Sequence, residues 1–304
     1  MKVTIIGLGL IGGSIAIDLR KSGLATELAG IDLNPAHTKK AIELGLVDKS
    51  ESEDKAIATS DLIILAIPVS ALSQLIPFIL EGVKKTAVVI DTGSTKSSIC
   101  RAALHHAHRS QFVAAHQIAG TENSGPEAAF SGLFRDKTNI ICEREKSSEH
   151  ALTVAEKVFD ALGLNTIFME PEEHDKHVAY VSHLSHVSSF LLGQTVLDIE
   201  RDEKNIFALA GSGFSSTVRL AKSSPDMWAP IFEQNAEYLS QALLEYIMHL
   251  QKFQYHLMKR DGKELHKIMM EANQIRRVLN GIDASASISI NSKLTNRQII
   301  KSTN

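Results

Sequence analysis

Residues 3–6, Val-Thr-Ile-Ile, run straight into Gly7-Leu8-Gly9-Leu10-Ile11-Gly12-Gly13, and a helical apolar pattern follows. A buried strand, a Gly-x-Gly-x-x-Gly turn and a helix in that order leave few folds open. Gly7 permits the tight turn, Gly9 lets backbone N–H groups approach a pyrophosphate, and Gly12 lets the helix lie close on the strand. The anion would rest at the helix N-terminus, beside Leu10 and Ile11, where unpaired N–H groups and the helix dipole favour it. A second strand, 27–32, ends in Asp32, at the spacing where a carboxylate meets the adenosine ribose. A carboxylate there accepts from the 2′-hydroxyl and repels a 2′-phosphate. The following Leu33-Asn34-Pro35 offer no Arg to hold a phosphate, so NAD rather than NADP is the expected cofactor.

The first half keeps alternating strands with helices. Strands are expected at 61–68, 87–91, 112–116, 139–142 and 165–169, with helices at 35–44, 70–80, 97–107 and 148–162. This alternation predicts a Rossmann-type, doubly wound parallel sheet covered on both faces, with its loops at the strand C-termini on the cofactor side. The pattern changes at Glu170-Pro171-Glu172-Glu173, which reads as a linker into a helix. From His174 to Asn280 only helical periodicity appears. The expected organisation is therefore α/β plus all-α: a dinucleotide-binding domain over 1–170, a helical domain over 171–283, and a flexible tail over 284–304. With 304 residues, two domains are the natural number.

A net charge of −3 gives no reason to expect nucleic acid or a membrane surface as partner. The two cysteines, Cys100 and Cys142, are too few for a disulfide framework and lack metal-ligand spacing, so no metal is expected. The first strand starts at residue 2 or 3, which leaves no room for a signal peptide, and a reduced cytoplasmic chain is expected. Residues 178–197 carry no Asp, Glu, Lys or Arg. Ser182, His183, Ser185, His186, Ser188 and Ser189 make this stretch too polar for lipid, and a buried helix with a polar face is expected.

Polar residues gather in three segments: 91–96 at one strand end, 116–125 at another, and the uncharged helix with Ser182, His183 and His186. At these residues the chain resembles the prephenate dehydrogenase family, which includes arogenate dehydrogenases. The resemblance spans residue 1 to about 283. It rests on the glycine turn, Ala66-Ile67-Pro68, Gly93-Ser94-Thr95-Lys96, His116 through Gly125, Ser182-His183-Leu184-Ser185-His186, Thr217-Val218-Arg219-Leu220-Ala221 and Ser224-Pro225-Asp226-Met227-Trp228. The family usually has Pro where Gln117 and Ser185 stand, and Thr-Arg in place of Val218-Arg219.

The resemblance implies oxidative decarboxylation of prephenate to 4-hydroxyphenylpyruvate, with NAD as oxidant. His116 is then the acceptor of the C4 hydroxyl proton, working as a neutral imidazole with a pKa near the reference of about 6.5. Ser94 would hydrogen-bond the same hydroxyl and the nicotinamide carboxamide; it also suits the N-cap of the next helix. Arg219 is the cation for a substrate carboxylate. His186 and Ser182 line the pocket with His183 behind them, and Thr121 and Glu122 lie near its mouth or a subunit boundary. Pro68 joins Gly7, Gly9, Leu10, Ile11, Gly12, Asp32 and Ser94 on the cofactor side. Trp228 suits packing better than stacking on a ligand. Family members pair through the helical domain, so a homodimer is expected. No fused domain is expected, because only about 20 residues follow the helical part. Two other functions fit less well. An arogenate dehydrogenase would want a carboxylate for the substrate ammonium, and none is identifiable. A silent dinucleotide sensor would not need Ser94, His116 and Arg219 together.

Overall fold

A computed structural model describes residues 1–202 and 205–281. The tail expected at 284–304 lies outside the described residues. Among the described residues eight strands form one sheet: β1 (Lys2–Ile6), β2 (Glu27–Ile31), β3 (Lys49–Ser50), β4 (Leu62–Leu65), β5 (Val88–Asp91), β6 (Phe112–Gln117), β7 (Thr138–Cys142) and β8 (Asn165–Met169). Their spatial order is β3-β2-β1-β4-β5-β6-β7-β8. The chain reverses direction across the sheet between β1 and β4, and the crevice at that switch is where α/β sheets bind nucleotides.

Side chains of consecutive strand residues alternate between two apolar layers. Val3, Ile5, Leu62, Ile64, Val88 and Ile90 join one core. Ile6, Ile63, Leu65 and Val89 join the other. Helices α1 (Leu10–Lys21) and α6 (Glu149–Leu162) cover the first layer with Ile15, Leu19, Val158 and Phe159. Between them in sequence lie α2 (Pro35–Glu43), α3 (Glu53–Thr59), α4 (Val69–Gly82) and α5 (Ser97–Ala103). The helices α4 and α5 cover the second layer with Leu72, Ile76 and Ile99. Burial on both faces is what a run such as Leu62-Ile63-Ile64-Leu65 demands.

Two features differ from the sequence expectation. The short strand β3 and the seven-residue α3 were hidden by their length. More important, β6 and β7 pair antiparallel, while every other neighbouring pair is parallel. A parallel return needs a crossover element. Residues 118–137 supply only a 3-10 turn at Pro126–Ala128, so the chain comes back beside β6 in the opposite sense.

The second half is helical: α7 (Pro171–Val178), a π-helical turn (Ala179–His183), α8 (Leu184–Asp202), α9 (Ser212–Thr217), α10 (Pro225–Gln234), α11 (Ala236–Met258) and α12 (Gly262–Ala272). Asn235 separates α10 from α11. Contacts divide the chain into two compact units, Met1–Ser240 and Gln241 onward. The first helices of the helical half thus pack as one body with the sheet. In α8 the side chains of Leu191, Leu197 and Ile199 are exposed, so this helix is less buried than its composition suggested. Within the second unit, Asp261 caps α12 by accepting from Glu264 N at 3.2 Å. Among the described residues no helix is long and apolar enough to cross a membrane.

Candidate active site

The glycine turn has the shape that a bound dinucleotide needs. Gly7 sits at φ +96°, and a Cβ there would lie 2.2 Å from the Ala66 carbonyl oxygen. A Cβ on Gly12 would lie 2.0 Å from the Gly7 carbonyl oxygen. These two glycines let β1, α1 and the end of β4 come together. Gly9 differs, because a Cβ on it would meet nothing within 4 Å. Its lack of a side chain instead keeps open space over the start of α1, where a pyrophosphate would rest at Leu10 and Ile11. Asp32 closes the turn by accepting from Leu8 N at 2.8 Å and Asn34 N at 2.9 Å. His37 Nδ1 stands 3.3 Å from the same carboxylate. Pro68 begins α4 from the extended conformation, at the end of the strand that packs on Gly7. The residues present therefore fit NAD.

The loop after β5 is braced from inside. Lys96 is fully buried, and its ammonium pairs with Asp91 Oδ2 and donates to the Ala115 carbonyl at 2.7 Å. Asp91 Oδ1 accepts from Ala115 N at 3.0 Å, and its Oδ2 accepts from Gly93 N at 2.8 Å. A buried charge is tolerable only when paired and hydrogen-bonded, as both are here. This brace fixes the end of β6 immediately before His116. Gln234, from α10, ties the loop to the helical half. Its carbonyl oxygen accepts from Thr95 Oγ1 at 2.8 Å and Ser98 Oγ at 3.0 Å, while its amide donates to Val69 O at 2.9 Å. Among the described residues the Ser94 side chain has no hydrogen-bond partner, and it does not cap α5, which begins at Ser97. Asp175 does that work from 78 residues away, accepting from Lys96 N at 2.7 Å and Ser97 N at 2.9 Å.

His116 is buried at the end of β6, and its Nδ1 lies 2.8 Å from His174 Nε2. His174 Nδ1 lies 2.8 Å from Asp175 Oδ1. Burial, with His174, Lys96 and His183 nearby, holds the His116 pKa well below 6.5. Burial also lowers His174, against the pull of Asp175 in the other direction. Burial alone would raise Asp175, but its hydrogen bonds with His174 and Ser97 outweigh this and keep it below the usual carboxylate range. His116 is therefore a neutral imidazole near pH 7, whereas the sequence expectation set its pKa near the reference value.

The helical half brings the remaining residues. The π-helical turn inserts an extra residue before α8 and sends His183 inward. There Asn235 Nδ2 donates to His183 Nδ1 at 3.0 Å and to the Asp175 carbonyl at 2.7 Å. Burial takes His183 down to about 4, so it too is neutral. Its ring stands edge-on to Trp228 and Phe232, at centroid distances of 5.9 and 6.4 Å. His186 is half-buried and stacks on Trp228 at 3.5 Å. Its Nδ1 donates to the Ser182 carbonyl at 3.0 Å, which leaves Nε2 as an acceptor. Arg219 begins a 3-10 turn and pairs with Glu122 at 2.9 Å, both side chains being partly exposed. Thr121, next to Glu122, accepts from Asn123 N at 3.2 Å and turns the loop. Gln117, where the family usually has Pro, donates to Asn139 Oδ1 at 2.9 Å across the β6–β7 pair.

Comparison with known proteins identifies the arrangement. The model for the prephenate dehydrogenase nucleotide-binding domain matches residues 15–168, and that for the prephenate dehydrogenase dimerization domain matches 170–271. The chain belongs to the prephenate dehydrogenase family. It is 30% identical to a prephenate dehydrogenase of Bacillus subtilis, over 91% of this chain and 76% of the relative. Among solved structures it is similar to the prephenate dehydrogenase of Aquifex aeolicus in complex with hydroxyphenyl propionate and NAD+. That match has a TM-score of 0.84 and 30% identity, covering 92% of this chain and 98% of the other. The arogenate dehydrogenase of Synechocystis is also similar, with a TM-score of 0.72 and 28% identity over 92% of this chain and all of the other. The fold class expected from sequence agrees with these matches: a nucleotide-binding sheet domain followed by helices. Within this family framework, His174, Asp175, Gln234 and Asn235 are the residues that sequence reasoning missed. No motif flags them, because each acts through partners far away in the chain.

Proposed function

We propose that this protein carries out the NAD-dependent oxidative decarboxylation of prephenate to 4-hydroxyphenylpyruvate, a step of tyrosine biosynthesis. The observation that carries this reading is a neutral, buried His116 at the end of β6, directly after Ala115, whose carbonyl accepts at 2.7 Å from Lys96 of the loop holding Ser94. NAD, which the glycine turn and Asp32 would hold, would supply the acceptor for the hydride on ring carbon C4. His116 draws off the C4 hydroxyl proton, for which it needs an unprotonated Nε2. Ser94, with no hydrogen-bond partner among the described residues, is available to hold the same hydroxyl. The ring becomes aromatic as CO2 leaves, so the protein's task is positioning and proton removal. Arg219 meets a substrate carboxylate: its pairing with Glu122 is solvent-screened and weak, and a bidentate carboxylate can displace it. His186 and Ser182 line the pocket, His183 supports them from behind, and Thr121 shapes the rim. We assign cofactor binding to residues 1–170 and substrate binding and pairing to 171–283, and place the reaction in the cytoplasm. Incubation with prephenate and NAD should yield NADH and 4-hydroxyphenylpyruvate in equal amounts. NADH without that product would refute the assigned reaction.

Asp32 sets the cofactor. Asp32→Ser removes a charged acceptor for the ribose, worth about 1.5–3 kcal/mol. NAD affinity should fall about tenfold to a hundredfold while NADP gains relative to it. Fluorescence titration with both cofactors checks this, and a native preference for NADP would refute the role of Asp32.

The protein works as a homodimer. Leu244, Met248, Leu257 and Met258 on α11, with Met269 and Met270 on α12, are all more than half exposed in the single chain. So much apolar surface on neighbouring turns marks an association face, and it falls largely within the matched dimerization domain. Light scattering at micromolar concentration should give twice the chain mass; a monomer mass would overturn the assignment.

A further inference from the structure

The proton removed from substrate needs a destination. His116, His174 and Asp175 form a chain whose hydrogen positions can be deduced. Asp175 is ionised and can only accept, and its oxygens already take the N–H groups of Lys96 and Ser97. The bond at 2.8 Å therefore has His174 Nδ1–H donating to Asp175. A neutral His174 with its proton on Nδ1 has Nε2 as an acceptor. Hence His116 Nδ1–H donates to His174 Nε2 at 2.8 Å. With Nδ1 protonated, a neutral His116 presents an unprotonated Nε2.

We infer that His174 and Asp175 form a proton relay behind His116, so that the substrate proton comes to rest as a charge on His174 rather than on His116. This rests on His116 being the base. As the C4 hydroxyl becomes a carbonyl, its O–H bond breaks and an N–H bond forms at His116 Nε2. The His116 Nδ1–H bond breaks, and a new N–H bond forms at His174 Nε2. His116 ends neutral in its other tautomer, and the imidazolium on His174 keeps its Nδ1–H on the Asp175 carboxylate. Reversal of the same two transfers, after product leaves, returns the proton to solvent through His116 Nε2.

The surroundings favour this endpoint. Three further titratable groups act on the two rings: Lys96 from the loop after β5, Asp91 from β5, and His183 from the π-helical turn. Lys96 opposes a positive charge on either ring, and its own charge is matched by Asp91. His183 is neutral, with Nδ1 taken by Asn235. His174 alone has a carboxylate in contact, and an opposite charge in a water-poor site stabilises the charged form strongly. His174 and Asp175 are thus positioning residues that act through His116.

The variant that isolates the relay is His174→Gln. Its side-chain oxygen still accepts from His116 Nδ1 but cannot take a proton. Plateau kcat for prephenate should fall about tenfold to a hundredfold, by analogy with the loss of the outer partner of a metal-bound histidine. Because protonation of either ring silences the pair, deleting one seat should move the acid limb of kcat/KM to lower pH. In H2O–D2O mixtures the native enzyme should show a bowed dependence of kcat, from two protons in flight, and His174→Gln a linear one. A structural role would change neither the limb nor the curvature. Nitrogen-15 NMR of histidine-labelled native protein needs no variant: His116 and His174 should both carry their proton on Nδ1 near pH 7. His116 protonated on Nε2, or a His174→Gln enzyme that keeps the native limb and bowed dependence, would overturn the relay. Full activity of His116→Asn would instead remove the base itself, which separates the two failures.

Discussion

Replacing His116 with Asn should lower kcat for prephenate by about 10²- to 10⁴-fold, the usual contribution of a positioned general base. NAD affinity should hardly change, since the glycine turn and Asp32 are untouched. Asn can donate a hydrogen bond but cannot take the hydroxyl proton. As the proposed base, His116 must be neutral, so activity should be lost as pH falls through the pKa of the His116–His174 pair. Burial first, then His174, Lys96 and His183, hold the His116 pKa well below 6.5. His174, its partner, is also held below 6.5 by burial, so the acid limb of kcat/KM should lie below pH 6.5. In His116→Asn the limb should flatten. Steady-state kinetics against pH for both proteins, with folding checked by circular dichroism, decides this. A mutant of full activity, or one with the native limb, would assign the proton to another group.

Arg219→Ala should lower kcat/KM for prephenate by about thirtyfold to a thousandfold. A charge-assisted bidentate contact is worth about 2–4 kcal/mol, and about 1.4 kcal/mol corresponds to tenfold. The loss should fall mainly on KM, because a carboxylate away from the reacting C4 is held alike in ground and transition states. Glu122→Gln serves as the control. It breaks the 2.9 Å pair from the other side and leaves the guanidinium in place. The exposed pair is weak, so its effect should stay within about fivefold. An unchanged kcat/KM in Arg219→Ala would remove Arg219 from the site.

The sheet half was legible because local patterns decide it. A run such as Leu62-Ile63-Ile64-Leu65 can only be a strand buried on both faces, and Gly-x-Gly-x-x-Gly after β1 fixes a turn that other residues cannot make. The direction of β7 was not legible. Nothing in Thr138–Cys142 records which way it runs; the absence of a crossover helix in 118–137 decides that. Motifs point to His116, Ser94 and Arg219 as candidate site residues. The site was illegible where partners are remote. His174 and Asp175 follow Pro171-Glu172-Glu173 and look like the solvated first turns of a helix. Only in the fold does that turn come to lie 2.8 Å from a histidine 58 residues away. The π-helical turn that sends His183 inward has no local signature either. Ser94 shows the converse limit: its suitability as a helix cap was a sound local inference, overridden by a carboxylate supplied from another element.

The most direct measurement is NADH formation by the purified full chain with prephenate and with arogenate, each under NAD and under NADP. Prephenate with NAD should give the highest kcat/KM of the four. A higher kcat/KM with arogenate, or no NADH with either substrate, would contradict the assignment.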